Sequence, residues 1–243
     1  MRRDTFGWHT HRLPCPARVV RWGHWGTPVL LFPTAGGDCE EAERNGLIGA
    51  LGGLIDAGRI KVYAIDSVAG QHWISRQHSP EYCSRVQNLF GAYVREEVVP
   101  LIRSDCATPD IEVVTAGASY GAFFAVASLC RYPDVFRLAV GLSGTYDLSG
   151  YLQGRWCDDF YFSSPLHYLP QLAEGWQLDW LRRRFIVLAT GSGRWEDPQQ
   201  SWQLAGVLGS RGIPNRVDDW GPAVDHDWPT WRTMLPQYLD ALA

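Results

Sequence analysis

An α/β fold is what the 243 residues predict: a mainly parallel central sheet with helices on both faces and an antiparallel N-terminal hairpin. Three observations carry it. Short apolar runs bounded by glycine and proline recur along the chain, and amphipathic stretches of helical period separate most of them. A content of 46% hydrophobic against 20% charged residues supplies one sizeable core, which disordered and fibrous chains lack. The length suits a single domain over 1–243, because cores tend to split beyond roughly 250–300 residues.

Residues 17–22 and 28–32 read as strands joined through Gly23 and Gly26, the opening hairpin. Thr34-Ala35-Gly36-Gly37-Asp38 follows, where glycines permit a tight backbone path and Asp38 is placed to cap the next helix. That helix carries Leu47, Ile48, Leu51, Leu54 and Ile55 at helical spacing, and Gly58 ends it. A strand over 61–66 then closes the first βαβ unit. A polar, aromatic loop over 67–80 leads into a long helical segment ending near Ile102, and then to a strand at 111–116. Later strands fall at 138–142, 184–189 and 215–218. The last helix places Trp231, Leu235, Tyr238, Leu239 and Leu242 on one stripe, with Pro229 in its first turn. The segment 143–179 is the nearest thing to an insertion, and residues 150–180 read as a small cap over the sheet.

Charge and composition exclude several functions. With 22 Lys and Arg against 26 Asp and Glu, the net charge of −4 provides no positive field for nucleic acid or an anionic membrane. Lys61 is the only lysine, so the basic side is almost all arginine. The start Met1-Arg2-Arg3-Asp4 is basic but lacks the apolar stretch of a signal peptide, and no run approaches the ~18 apolar residues of a spanning helix. A cytoplasmic location is expected. Six cysteines lie scattered without a C-x-x-C pair, so free thiols are expected rather than zinc or a redox motif. His9-Thr10-His11 reads as a solvated strand rather than a metal site, and Gly36-Gly37 lacks the lysine and hydroxyl that complete a phosphate loop. No cofactor or metal is expected. No nucleic-acid or membrane partner is expected; a homo-oligomer is left open.

The chemistry concentrates at Gly117-Ala118-Ser119-Tyr120-Gly121, a G-x-S-x-G pattern that follows a β-type run and precedes an apolar, helix-compatible one. A serine in such a strand-turn-helix projects its hydroxyl above the sheet edge as a nucleophile. The backbone N–H of Tyr120 would meet a developing oxyanion there, with Ala35 N–H as the second donor from the loop after an early strand. A serine needs a base, and only His167 and His226 of the seven histidines lie downstream. His226 stands just past the last strand and before the last helix, where such a base belongs; His167 lies in the cap segment. The loop after the strand at 184–189 offers the acid: Glu196 first, then Asp197, which also reads as a helix cap, and third Asp147, one strand earlier. The aspartates flanking His226 read as solvated charges. Most of the twelve tryptophans must be core, while Trp73, Trp156 and Trp195, in loops, are candidates to line a substrate cleft.

These residues resemble the esterase D and feruloyl-esterase-like branch of the α/β-hydrolases, which includes mycolyltransferase-like acyltransferases. The resemblance runs from about Val29 to Leu242. It rests on the Ser119 pentapeptide, Tyr132-Pro133-Asp134-Val135-Phe136, Leu142-Ser143-Gly144-Thr145-Tyr146-Asp147 and His226-Asp227-Trp228-Pro229-Thr230-Trp231. It implies the α/β-hydrolase fold, Ser119 as nucleophile, His226 as general base and Glu196 or Asp197 as acid. Two departures stand out: Pro33-Thr34-Ala35-Gly36-Gly37 replaces the His-Gly-x-x-Gly frequent in relatives, and the acid loop is longer than the family's Gly-x-x-Asp form. The expected activity is a serine hydrolase cleaving carboxylic esters through an acyl-enzyme, and the expected partner is a small-molecule ester. The rivals are an acyltransferase using the same triad and a non-catalytic binding protein on the same scaffold.

Overall fold

A computed structural model describes residues 1–243. Eight strands form one sheet: β1 (Arg3–Trp8), β2 (Ala17–Trp22), β3 (Thr27–Phe32), β4 (Ile60–Ile65), β5 (Val113–Ala118), β6 (Phe136–Leu142), β7 (Phe185–Thr190) and β8 (Asn215–Asp219), in the spatial order β1-β2-β4-β3-β5-β6-β7-β8. From β4 to β8 every pairing is parallel, whereas β1 with β2 and β2 with β4 are antiparallel.

The N-terminal hairpin therefore exists, but it joins β1 to β2, with Arg3 opposite Trp22 and Trp8 opposite Ala17. The expected pairing of 17–22 with 28–32 does not form, because β4 lies between them. Burial explains the difference. β3 is buried along nearly its whole length and takes neighbours on both sides, while β1 is never fully buried and suits the edge.

The one helix expected between Asp38 and Gly58 is three short pieces, Glu41–Arg44, Leu47–Ala50 and Gly52–Asp56. Gly46, at φ +75°, breaks the first from the second. The loop expected over 67–80 contains a two-turn helix, α1 (Val68–Ser75), which ends at Arg76. The long helical segment is α2 (Pro80–Tyr93), a π turn over Val94–Val98 and α3 (Val99–Asp105). Pro100 has no N–H to donate back one turn, and the wider turn lies just before it. Glu97 in that turn accepts from the Trp8 indole and the Thr10 hydroxyl at 2.6 Å each, and pairs with Arg12 at 2.7 Å. His9 and His11 thus flank an anchored connection beyond β1 rather than sitting in a strand.

α4 (Tyr120–Arg131) follows β5, and α5 (Trp228–Leu242) closes the chain. One face of the sheet packs Phe32, Phe90, Phe123 and Phe124 against α2 and α4; the other packs Leu51, Trp231 and Leu235 against the short pieces and α5. Within 150–180, Phe160, Leu166 and Leu178 are buried in the same core cluster as Phe123. No helix is long and apolar enough to cross a membrane.

At the N-terminal ends of the parallel strands lies a buried polar cluster. The Asp105 carboxylate, at the end of α3, accepts from Lys61 Nζ at 2.6 Å, Tyr63 hydroxyl at 2.6 Å and Arg21 at 2.9 Å. Lys61 and Arg21 are buried almost completely, and Arg21 also pairs with Asp4. Burial alone would raise the Asp105 carboxyl, but the hydrogen bonds from Lys61 and Tyr63 and the charges of Lys61 and Arg21 bring it below its ordinary range.

Candidate active site

Ser119 is the single residue between β5 and α4, and it holds φ +58°, ψ −121°, a backbone region that side chains rarely occupy. The two glycines of the motif are demanded by contact. A Cβ on Gly117 would stand 2.3 Å from the Gly121 carbonyl, and a Cβ on Gly121 2.3 Å from the Phe32 carbonyl. Only glycine lets strand, helix and β3 crowd together here. The Ser119 amide donates to Leu142 O at 2.9 Å, and its carbonyl accepts from Thr145 N at 3.3 Å, so the end of β6 holds the turn.

Across the same sheet edge, the loops after β7 and β8 are joined backbone to backbone. Ser192 N donates to Gly221 O, Gly193 N to Val224 O and His226 N to Arg194 O, each at 3.0 Å. A Cβ on Gly193 would lie 2.5 Å from both Val224 O and Asp225 Oδ1, so this seam too needs its glycine. The seam sets Glu196 Oε2 4.0 Å from His226 Nδ1, within ion-pair reach but longer than a hydrogen bond. The Glu196 side chain is 1% exposed. Its Oε1 accepts from Ser143 Oγ at 2.5 Å and its Oε2 from Thr190 Oγ1 at 3.3 Å. Ser143 Oγ in turn accepts from the Trp231 indole at 3.0 Å, and the Trp231 ring meets His226 edge to face at 5.2 Å.

Burial lowers the His226 pKa below its ordinary 6.5, and the negative charges of Glu196 and Asp227 offset that only in part. The imidazole is therefore neutral near pH 7, the form that can accept a proton.

The other candidates are placed as follows. Asp197 is exposed at the start of the helix Pro198–Ser210 and accepts from Gln200 at 3.3 Å. Asp147 accepts from the Ser149 amide at 2.8 Å, and its charge acts on His167. His167 bonds Ser164 Oγ at 2.8 Å and packs on Trp156 and Phe160, away from Glu196. The aspartates beside His226 are not simply solvated: Asp225 takes both Arg194 Nε and Nη2, and Asp227 caps α5 by accepting from Thr230 N at 3.0 Å. Ser143 and Trp231 carry Glu196 and were not singled out as site residues from sequence; the signal available was their place in the strand end after β6 and in the tryptophan-containing helix start.

Ala35 follows β3, next to β5 in the sheet, and its N–H donates to no acceptor of the protein. The Thr34 amide and hydroxyl both donate to Glu41, at 2.8 and 2.6 Å, which pins this loop. Asp38 accepts from Glu40 N at 2.9 Å and supports the helical turn that bears Glu41. Tyr120 opens α4, so its N–H has no carbonyl one turn back. Of the three tryptophans, Trp73 is buried with its indole on Gln87 at 2.7 Å, and Trp156 is half exposed; both touch Phe160. Trp195 stands apart, 87% exposed at φ +65°.

Residues 50–242 match the model of the family described as "Putative esterase". The chain belongs to this esterase family. Searched against curated proteins, the sequence finds no match. Its fold is shared by a ferulic acid esterase, at TM-score 0.73 and 15% identity over 98% of this chain and 96% of that one. It is shared by an S-formylglutathione hydrolase from Agrobacterium tumefaciens, at 0.74 and 12% over 98% and 93%, and by Mycobacterium tuberculosis MPT51, at 0.71 and 15% over 100% and 98%. The esterase is thus an α/β-hydrolase in fold and a serine ester hydrolase by family.

Proposed function

We propose that the esterase cleaves carboxylic esters through an acyl-enzyme on Ser119, and the Glu196–His226 pair on the sheet edge of the Ser119 turn is the observation that carries this reading. Ser119 Oγ attacks the ester carbonyl as its proton passes to His226 Nε2, the ring nitrogen opposite the one that faces Glu196. The oxyanion lies against the Tyr120 and Ala35 N–H groups, neither of which has a competing acceptor. Collapse breaks the C–O bond, and the imidazolium gives its proton to the departing alkoxide. Water then repeats the attack through the same base and frees the acid and Ser119. Glu196 orients the imidazole and stabilises its charged form, while Ser143 and Trp231 position Glu196. Six free thiols, three of them buried, support a reducing compartment, the cytoplasm.

Hydrolysis of a 4-nitrophenyl ester series from C2 to C8 tests the assignment. Ser119→Ala and His226→Ala are each expected to lower kcat by about 10³-fold or more without loss of fold. Unchanged turnover in Ser119→Ala would overturn it.

A further inference from the structure

Beyond the C-terminal end of α1 lies a cavity of about 210 Å³ bounded by Trp73, Pro80, Tyr151 and Gln153, with Arg76 and His78 on its polar side. The chemistry of Ser119 does not require it, yet two contacts join it to the site. Tyr151, on the wall, packs edge to face against Tyr120, the residue after Ser119, with ring centres 5.8 Å apart. α1 itself runs from the Ala35 loop to the cavity: a Cβ on Gly70 would lie 2.6 Å from Ala35 O, and one on Gly36 would lie 3.1 Å from Ile74 Cδ1.

The polar groups here are one-sided. Arg76 is held at φ +53° where α1 stops, and no carboxylate lines the cavity. Glu81, just beyond Pro80, is turned to Arg155 at 3.8 Å. His78 stacks on His72 with centres 5.2 Å apart, adding a second nitrogen donor. The Tyr120 hydroxyl is buried without a hydrogen-bond partner, on a residue only 5% exposed. Burial and the neighbouring Tyr151 phenol push that hydroxyl well above its usual range.

A guanidinium without a counter-charge and an imidazole on the same side of the cavity together want an anion. A carboxylate suits them, since its two oxygens match the guanidinium fork, and the Trp73 and Tyr151 walls suit an apolar connector. Resting on the acyl-enzyme reading of Ser119, we infer that this esterase selects esters that also carry a carboxylate, which Arg76 binds in the cavity beside Tyr151 while the ester carbonyl lies at Ser119.

Two matched substrate pairs test this. 3-Acetoxybenzoate against its methyl ester puts the charge on the alcohol side; mono-4-nitrophenyl adipate against 4-nitrophenyl hexanoate puts it on the acyl side. In at least one pair the charged member is expected to have the higher kcat/KM by about ten- to fiftyfold, through KM. That preference should vanish in Arg76→Gln, survive in part in Arg76→Lys and be untouched in Arg85→Gln, a change at an exposed arginine of α2 that does not line the cavity, while all variants hydrolyse the neutral members alike. Equal rates for both members of both pairs, or a preference that survives Arg76→Gln, would overturn the inference and leave the Ser119 assignment standing. Calorimetric binding of 3-hydroxybenzoate and monomethyl adipate to Ser119→Ala protein reads the cavity without turnover. Saturable binding lost on adding Arg76→Gln supports the carboxylate site even if no ester is cleaved; binding of neither acid overturns it.

Discussion

Glu196 and Asp105 are both sequestered carboxylates, set at opposite ends of the same parallel sheet, and they are satisfied in opposite ways. Asp105 is held by permanent cations, Lys61 and Arg21, and by the Tyr63 hydroxyl. Glu196 has no permanent cation; it is held by the hydroxyls of Ser143 and Thr190 and faces a base that gains or loses a proton. A carboxylate saturated by fixed charge has nothing left to offer a reaction and serves as a structural tie. One held in place by neutral donors keeps its charge available for the moment an imidazolium forms beside it.

The largest effect that would break this contrast is kinetic. Glu196→Gln preserves shape and the Ser143 contact but removes the charge, and is expected to lower kcat by about 10²- to 10⁴-fold with little change in melting temperature. A loss of fold instead of rate would make Glu196 a structural tie like Asp105.

Asp105→Asn should do the reverse. It leaves Lys61 buried without its charge partner and Arg21 with Asp4 alone, at a cost of about 3 kcal/mol, or roughly 6–12 °C in Tm for a domain of this size, with kcat of the folded enzyme unchanged. The sign with pH follows from the lowered Asp105 pKa: its contribution is complete above the unfolded value near 3.8 and is lost as pH falls through the folded value. Thermal melts of both proteins from pH 7 down to 3 check this, since the gap between them should close only at the acid end.

The smallest effect sharpens the comparison at His226. Because burial lowers its pKa, the acid limb of kcat/KM should have its midpoint below 6.5. In Glu196→Gln the limb should move further to acid, because a charge that raises this pKa has gone. A limb that moves toward neutral pH would mean that Glu196 does not act on the imidazole.

Much of the active edge was legible because local rules and tertiary needs agree there. The G-x-S-x-G turn is a sequence pattern whose glycines answer to backbone contacts of 2.3 Å, and the loops after β7 and β8 follow from the strand order. What escaped depends on neighbours remote in sequence. The partner of 17–22 is decided by β3 needing two flanking strands, which no hydrophobic run announces. The helix α1 has only two turns, with Gly70 inside and the polar stretch 75–79 directly after it, so the segment reads as loop. Glu196 and Asp197 are adjacent carboxylates, indistinguishable by position; the left-handed residue Trp195 precedes the pair, and Glu196 turns inward while Asp197 stays at the helix start. Asp38 does not cap the next helix, whose N-cap is Glu40; it accepts from the Glu40 amide in the turn just before it.

The solitary lysine has a practical consequence for an enzyme read as passing acyl groups through a serine. Activated esters used as substrates also acylate accessible lysines, and such side products blur any count of active sites. Here the one lysine side chain is 4% exposed and tied to Asp105. Lysine acylation of the native protein should therefore lag far behind turnover, and the slow appearance of label on Lys61 becomes a clock for the opening of the sheet edge opposite the site.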